Sequence, residues 1–171
     1  DLEGLRVVVS AGGTREPIDP VRYLGNRSSG MQGFAIAEAA RERGAQVTVV
    51  AANVALPLSE GVDRVNVETT AQLREAMLEA RQGAHIVVMA AAVADFTPAD
   101  VSGTKIKKSG EDLTLALVQT PDILKELVGT RPADQTLVGF AAETGDDAQS
   151  ARDHAADKAR RKGADLLVFN D

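Results

Sequence analysis

Short runs of Val, Ile, Leu and Ala recur along the chain, and each has the length of a buried β-strand. They occupy residues 5–9, 46–50, 86–90, 137–142 and 166–169. The segments between them favour helices, predicted from about residue 31 to a stop at Gly44, from a cap at Thr69 or Thr70, from Pro121 to 128, and over 146–162. This alternation predicts an α/β fold with a mainly parallel sheet in a three-layer domain.

Small and polar residues follow the first strand over an unusually long stretch. Gly12 and Gly13 allow the backbone to turn and a phosphate to approach, while two prolines keep the next residues out of a regular helix. Residues 26–33 form a second cluster, which opens the first helix with backbone N–H groups facing the same region. We therefore expect a long loop whose two turns bind one anionic ligand. The alternative, which is the simpler explanation for any single one of Gly12, Gly13, Gly30 and Gly33, is turn geometry and helix–strand packing. The polar and glycine residues of interest in the second cluster are Asn26, Ser28, Ser29, Gly30 and Gly33.

Residues 97–110 interrupt the pattern and carry three lysines in the sequence KIKK. We interpret this segment as a mobile flap or hairpin arm, with the alternating residues 113–117 as its returning strand. Alternation places Lys105 and Lys107 on one side and Ile106 on the other, so a lysine could meet phosphate if the flap closes. The alternative interpretation is a solvated charge run.

Two further candidates follow from position alone. Asp95 comes after the strand at 86–90, where α/β sheets bind ligands, although a solvated loop carboxylate is the alternative. Lys158 and Lys162 fall on the alanine-rich face of the last predicted helix. They either extend to solvent near the helix C-terminus or converge on a phosphate.

Composition excludes several classes of protein. A chain of 171 residues can bury a core as a single domain spanning 1–171, and the absence of Cys excludes disulfides, thiolate metal sites and a cysteine nucleophile. A net charge of -6 and an aromatic content of 3% argue against a nucleic-acid partner. Without a long apolar segment or signal peptide, we expect a cytoplasmic protein with no membrane partner.

Familiar nucleotide motifs are missing. No GxGxxG or GxxxxGK[ST] sequence occurs, and the residues after the second strand lack the acid that holds an NAD ribose. The two histidines are far apart in sequence, which gives little support to a histidine metal site or a Ser/His/Asp triad.

The segments AGGTREPIDPVRYLGNRSSG, AAAVADF, KIKK, TPDIL, GFAAET and FND occur in this order along essentially the whole chain. Together they closely resemble phosphopantothenoylcysteine synthetase, usually the C-terminal half of a bifunctional bacterial coenzyme A biosynthesis protein. The resemblance implies a Rossmann-like fold and a ligase that uses CTP and Mg²⁺ to join 4'-phosphopantothenate to L-cysteine. The substrate carboxylate attacks the α-phosphate of CTP to give an acyl-cytidylate, and the cysteine amine then displaces CMP.

The resemblance also implies roles for individual residues. Asn26 handles the acyl-cytidylate and Lys105 is needed to form it, so both are the expected catalytic residues, and Asn26 and Ala92 are expected to bind substrate. The expected nucleotide-binding residues are Gly12, Gly13, Ser28, Ser29, Gly30, Met89, Ala90, Ala91, Asp95, Lys105, Pro121, Asp122, Ile123, Leu124, Phe140, Lys158 and Lys162. No ligand of the Mg²⁺ is identified.

The chain departs from the family pattern in two places. Met31 stands where many members have a basic residue, which weakens any phosphate contact from that side chain. The chain stops at Asp171, where members continue with strands that contribute to a homodimer, so we expect a truncated domain that lacks an upstream FMN-dependent decarboxylase domain. The alternatives are a fragment that only binds nucleotide and dimerises, or an NAD(P)-dependent reductase, against which the missing ribose-binding acid speaks.

Overall fold

The computed structural model describes residues 1–142 and 163–170. Its helices are α1 Met31–Glu42, α2 Thr70–Ala80 and α3 Ile123–Gly129. Its strands are β1 Arg6–Gly12, β2 Arg15–Asp19, β3 Arg22–Gly25, β4 Gln46–Ala52, β5 Val62–Val67, β6 Ile86–Met89, β7 Phe96–Pro98, β8 Leu117–Gln119, β9 Thr136–Ala142 and β10 Leu166–Asn170. The predicted helix at 146–162 lies outside the described residues.

A six-stranded sheet has the order β10-β9-β6-β1-β4-β5, and all neighbouring strands in it are parallel. When these strands are numbered in chain order, the sheet reads 3-2-1-4-5-6 from β5, which is the order of the doubly wound Rossmann fold. The strand order reverses between β1 and β6, and ligands bind beyond the carboxyl ends of strands at such a point. The predicted Rossmann-like α/β fold is confirmed.

Helices cover both faces of this sheet, as the three-layer prediction requires. On one face Phe34 and Ala37 of α1 pack with Val9 of β1. On the other face Leu73 of α2 and Leu127 of α3 lie in a second buried cluster with the alternate residues of the strands. Because both faces are buried, the central strands consist of continuous apolar runs.

The helix boundaries follow from local chemistry. Thr69 is the N-cap of α2, and its side chain and that of Gln72 form a capping box, which satisfies two backbone N–H groups. Gly44 follows α1 with φ of +94° and donates its N–H to the carbonyl of Arg41, so the predicted stop is confirmed. None of the described helices has both the length and the apolar character needed to cross a membrane.

The expected long loop after the first strand is wrong. Strand β1 continues to Gly12, and β2 and β3 then pair as an antiparallel hairpin before α1 begins. Pro17 is accommodated opposite Tyr23 because both strands of a two-stranded ribbon are edges, where a missing N–H donor is tolerated. Both prolines therefore lie within the hairpin, Pro17 in β2 and Pro20 in the turn between β2 and β3.

The flap prediction is correct only at its base. Strand β7 pairs antiparallel with β8, so a hairpin arm exists, but residues 99–116 contain no helix or strand. The returning strand begins at Leu117 rather than Leu113. Leu113 is exposed, so its alternating pattern has no buried face against which a strand could pack.

Candidate functional site

A cavity of about 730 Å³ lies where β6 and β9 end, on one side of the point where the strand order reverses. Small-molecule sites typically have volumes of about 300–1,000 Å³, and the volume of this cavity lies within that range. The cavity is lined by Asn26, Arg27, Ser28, Gln32, Met89, Ala90, Ala91, Ala92, Val93, Asp95, Phe96, Gln119, Thr120, Pro121, Asp122, Ile123, Leu124, Phe140 and Leu167.

Most of the expected site residues meet at this cavity, although they come from four separate segments. Those that line it are Asn26, Ser28, Met89, Ala90, Ala91, Ala92, Asp95, Pro121, Asp122, Ile123, Leu124 and Phe140. The described residues that were expected at the site but do not line the cavity are Gly12, Gly13, Ser29, Gly30 and Lys105. Lys158 and Lys162 lie outside the described residues.

The first glycine cluster has a structural role that differs from the expected anion-binding turn. The N–H of Gly13 donates to the carbonyl of Ala52 at 3.1 Å, and that of Thr14 donates to Ala92 at 3.2 Å. Gly12 has φ of +86°, and a Cβ there would lie 2.0 Å from the carbonyl oxygen of Ala52. These glycines therefore allow the end of β1 to pack closely against its neighbours, and the N–H groups of residues 13 and 14 already have partners.

The second cluster has similar local bonds. Gly30 is the N-cap of α1 with φ of +79°, and its N–H donates to the hydroxyl of Ser28 at 3.3 Å. The N–H of Met31 donates to the hydroxyl of Ser29 at 3.4 Å. Ser28 also lines the cavity, so the start of α1 does border the candidate site.

Buried hydroxyl groups hold the loop that forms the cavity wall after β6. The hydroxyl of Ser10 accepts the N–H of Ala91 at 3.1 Å, and that of Thr14 accepts the N–H of Ala94 at 2.8 Å. Both side chains belong to fully buried residues. Ser10 and Thr14 therefore fix the backbone of this wall without lining the cavity, a role that sequence reasoning missed.

Asn26 lies directly after β3 and reaches the same wall. Its amide Nδ2 donates to the carbonyl of Val93 at 3.0 Å. An asparagine amide has two N–H donors and one oxygen acceptor, so this bond fixes the orientation of the group and uses one donor. The cavity therefore contains a polar side chain whose direction is set by the backbone opposite.

Among the described residues that line the cavity, three carry charge. They are the basic residue Arg27 and the acids Asp95 and Asp122. Asp122 caps α3, because its carboxylate accepts the N–H of Lys125 at 3.1 Å. Across the described part of the chain, no three His, Cys, Asp or Glu side chains are grouped as a metal site.

The lysine segment is tied to the β2–β3 hairpin. The N–H of Ile106 donates to a carboxylate oxygen of Asp19 at 3.1 Å, and a guanidinium nitrogen of Arg22 donates to the carbonyl of Ile106 at 2.7 Å. Hydrogen bonds from the Arg22 side chain, and then from backbone N–H groups, hold the pKa of Asp19 well below its ordinary value. Lys105 is exposed next to this tether.

Several lining residues were missed. Three of them stand in motifs that could have identified them: Arg27 in GNRSSG, Phe96 at the end of AAAVADF, and Thr120 before Pro121 in TPDIL. Leu167 had no signal, because its place depends on β10 pairing with β9. The missed residues are Arg27, Gln32, Val93, Phe96, Gln119, Thr120 and Leu167.

The place of the ribose-binding acid of NAD enzymes is occupied by a structural amide. Asn53, at the end of β4, has φ of +55°. Its Nδ2 donates to the carbonyls of Gly13 at 2.9 Å and Glu68 at 3.0 Å. Both N–H groups of this amide are thus engaged with backbone.

Comparison with known proteins gives one consistent family. The profile described as "DNA/pantothenate metabolism flavoprotein C-terminal domain" matches residues 2–171. The chain is 48% identical over 177 residues to the coenzyme A biosynthesis bifunctional protein CoaBC of Mycolicibacterium smegmatis, covering 99% of this chain and 43% of that relative. The chain thus spans less than half the length of this curated relative.

Solved structures give the same result. The crystal structure of the C-terminal domain of a CoaBC protein has a TM-score of 0.85 and 39% identity, covering 99% of this chain and 78% of that one. A Cab2 variant described as a complex with phosphopantothenate-cysteine has a TM-score of 0.83 at 19% identity, covering 97% of this chain and 72% of that one. At that identity the second likeness shows the fold alone.

Proposed function

Because the chain belongs to the family of the DNA/pantothenate metabolism flavoprotein C-terminal domain, we propose that it is the ligase part of a coenzyme A biosynthesis protein. The reaction joins 4'-phosphopantothenate to L-cysteine, with CTP as the activating nucleotide. One observation carries this proposal: the motifs around Asn26, residues 89–95 and residues 119–124 all line one cavity at the carboxyl ends of the sheet.

The first step forms a bond between a carboxylate oxygen of phosphopantothenate and the α-phosphorus of CTP, and pyrophosphate leaves. The product is an acyl-cytidylate. Lys105 stabilises the charge that moves onto the phosphate groups, as cationic side chains do in phosphoryl transfer. Lys105 does not line the cavity in this structure, so its exposed side chain must extend toward the cavity when substrates bind.

In the second step the cysteine amine attacks the acyl carbon, the bond to CMP breaks, and the amine loses a proton. Negative charge develops on the acyl oxygen during this attack. Asn26 is suited to stabilise it, because its amide is oriented by Val93 and carries a second N–H donor. A donor fixed before the reaction requires little reorganisation during it.

A Mg²⁺ ion is part of the proposal as a companion of the CTP phosphates. Mg²⁺ commonly uses only one or two protein carboxylates together with phosphate oxygens. Asp95 fits this role, since it lines the cavity, whereas the carboxylate of Asp122 already caps α3. When bound, the ion neutralises phosphate charge.

We also propose that the full-length protein is a homodimer with an N-terminal decarboxylase domain that holds FMN. Large apolar side chains are exposed on the two hairpins, including Val21, Tyr23 and Val118 at 60%, 52% and 48%. Their burial against a second copy would remove apolar surface from water. Light scattering during gel filtration measures the mass, and a monomer at micromolar concentration would contradict this part.

The experiment for the nucleotide is calorimetric titration with CTP, ATP and NADPH. We expect CTP to bind in preference to ATP and NADPH. NADPH is disfavoured because Asn53, whose two N–H groups donate to backbone carbonyls, stands where an NAD enzyme has its ribose-binding acid. Turnover is then measured as CMP and pyrophosphate release after addition of phosphopantothenate and cysteine. Binding of CTP without turnover would support the fragment that only binds nucleotide, and preferential binding of NADPH would support a reductase.

A further inference from the structure

The carboxylate of Asp19 is the centre of a cluster of hydrogen bonds outside the cavity. It accepts the N–H groups of Val21 and Arg22, each at 2.9 Å, and the Nε of Arg22 at 2.9 Å. It also accepts the N–H of Ile106 at 3.1 Å, from a segment 87 residues away in sequence. The side chain is completely buried, so these donors replace water as its partners.

Arg22 completes the connection from the other side. One guanidinium nitrogen donates both to Asp19 and to the carbonyl of Ile106. The N–H and the C=O of Ile106 are therefore both bound by one ion pair on the β2–β3 hairpin. Backbone groups of a surface loop can also be satisfied by water, so these two hydrogen bonds fix Ile106 to the hairpin.

A second tether lies four residues earlier. The N–H of Ser102 donates to the carbonyl of Ile18 at 3.0 Å, on the same hairpin. Lys105 lies between the two tethers, so its backbone is confined although its side chain is exposed. Residues 99–116 would otherwise form a long structureless loop, and such loops in compact domains are usually functional or disordered.

The same hairpin carries Asn26 to the cavity. Asn26 follows β3 directly, and about 13 Å of extended chain separates it from Arg22, at roughly 3.3 Å per residue. The hairpin thus connects Asn26 with the separate segment that carries Lys105, the other residue of the proposed mechanism. Fixing Ile106 to Asp19 and Arg22 also fixes where the Lys105 segment starts relative to Asn26.

We infer that Asp19 is a positioning residue, which acts through Arg22 and Ile106 to hold the Lys105 segment in place beside the hairpin that carries Asn26. This inference rests on the proposed function for the role of Lys105, but the anchor itself is a property of the chain. The two are tested by different measurements.

The first measurement is hydrogen–deuterium exchange of the backbone around Ile106 in Asp19→Asn. The substitution removes the charge that holds Arg22, so we expect exchange in residues 104–108 to accelerate at least about tenfold. The matched control is Glu38→Gln, since Glu38 also pairs with an Arg three residues on and accepts a distant backbone N–H, that of Ser59 at 2.8 Å. It should accelerate exchange near Ser59 and leave residues 104–108 unchanged.

The second measurement is the rate of pyrophosphate release in one turnover, in a protein of the length of the curated relatives. We expect Asp19→Asn to slow this step as Lys105→Gln does, and the double variant to be no slower than the slower single variant. Glu38→Gln should keep the parental rate. Unchanged exchange at residues 104–108, or additive losses in the double variant, would overturn the positioning role.

The outcomes separate this inference from the proposed function. If Lys105→Gln keeps the parental rate while Asp19→Asn accelerates exchange, the anchor stands and the role of Lys105 fails. If Asp19→Asn does not fold, as judged by its circular dichroism and melting, Arg22→Lys is used. That variant keeps the positive charge but loses the planar fork that contacts Asp19 and Ile106 together, so it should show the same two effects.

Discussion

Replacement of Asn26 by Asp separates the two steps of the proposed reaction. The substitution keeps the size of the side chain but exchanges an N–H donor for an acceptor that carries negative charge. The acyl oxygen becomes negative only when cysteine attacks, so the second step should suffer most and the acyl-cytidylate should accumulate. The new oxygen would also face the carbonyl oxygen of Val93, which lies 3.0 Å from the present Nδ2 atom of Asn26.

The expected size follows from two contributions. Loss of one donor to an oxyanion slows a reaction by about 10²–10³, or about 2.7–4 kcal/mol. A carboxylate about 4 Å from the oxyanion adds a repulsion of about 4 kcal/mol at an effective dielectric constant of about 20. Asn26→Ala removes the donor without adding charge, so it should slow the second step less than Asn26→Asp does.

The assay follows the intermediate directly, in a protein of the length of the curated relatives. Each variant is incubated with phosphopantothenate, Mg²⁺ and CTP, quenched, and examined by mass spectrometry for the mixed anhydride before and after cysteine is added. Conversion of the anhydride to the amide at the parental rate would remove Asn26 from the mechanism. Absence of the anhydride would place Asn26 in the first step, and equal rates for the Ala and Asp variants would refute the contribution of charge.

The other predictions concern charge movement, a helix cap and acid stability. Lys105→Gln should slow pyrophosphate release in a single turnover more than it weakens CTP binding, because the contact of Lys105 with phosphate strengthens as charge moves in the transition state. An unchanged rate of pyrophosphate release would mean that Lys105 is only a solvated surface charge. Thr69→Ala should lower the free energy of unfolding by about 1 kcal/mol in urea titrations, and no change would refute the capping box. The N–H of Leu137, and then the guanidinium of Arg131, hold the pKa of Asp165 below its ordinary value of 3.8. The carboxylate therefore stabilises the fold above that pH and loses its effect as pH falls. The difference in unfolding midpoint between the parent and Asp165→Asn should therefore shrink below pH 3.8. A difference that stays constant with pH would contradict this.

The parts of the fold that depend on local pattern could be predicted from sequence. Continuous Val runs identified β1 and β4 because both faces of those strands are buried. Thr69 or Thr70 was expected to cap α2, and the structure shows that Thr69 is the cap, with Gln72 completing a capping box that sequence reasoning did not identify. The β2–β3 hairpin was missed, since its strands are edges that contain proline and charged residues and so lack the usual strand signal.

Most residues that line the cavity belong to segments that the sequence motifs single out. Those after β6 meet at the cavity because the carboxyl ends of parallel strands lie at one edge of the sheet. The position of Lys105 was not predictable, because it depends on hydrogen bonds between Ile106 and residues 84 and 87 positions away. For Gly12 alone, turn geometry and close packing were the simpler expectation, and the structure supplies the detail that Ala52 leaves no space for a side chain.

The amide of Asn53 limits how the nucleotide preference of this fold can be redesigned. Installing the acid of dinucleotide enzymes by Asn53→Asp would keep a residue type that tolerates its positive φ. It would also place carboxylate oxygens against the carbonyls of Gly13 and Glu68, which now receive both N–H groups of the amide. The carbonyl of Glu68 would keep the N–H of Arg15, which it accepts at 2.8 Å. The carbonyl of Gly13 would lose the donor that Asn53 provides, which costs about 1–3 kcal/mol if this oxygen stays buried. A switch to NAD(H) therefore requires rebuilding the ends of β1 and β5 together with residue 53.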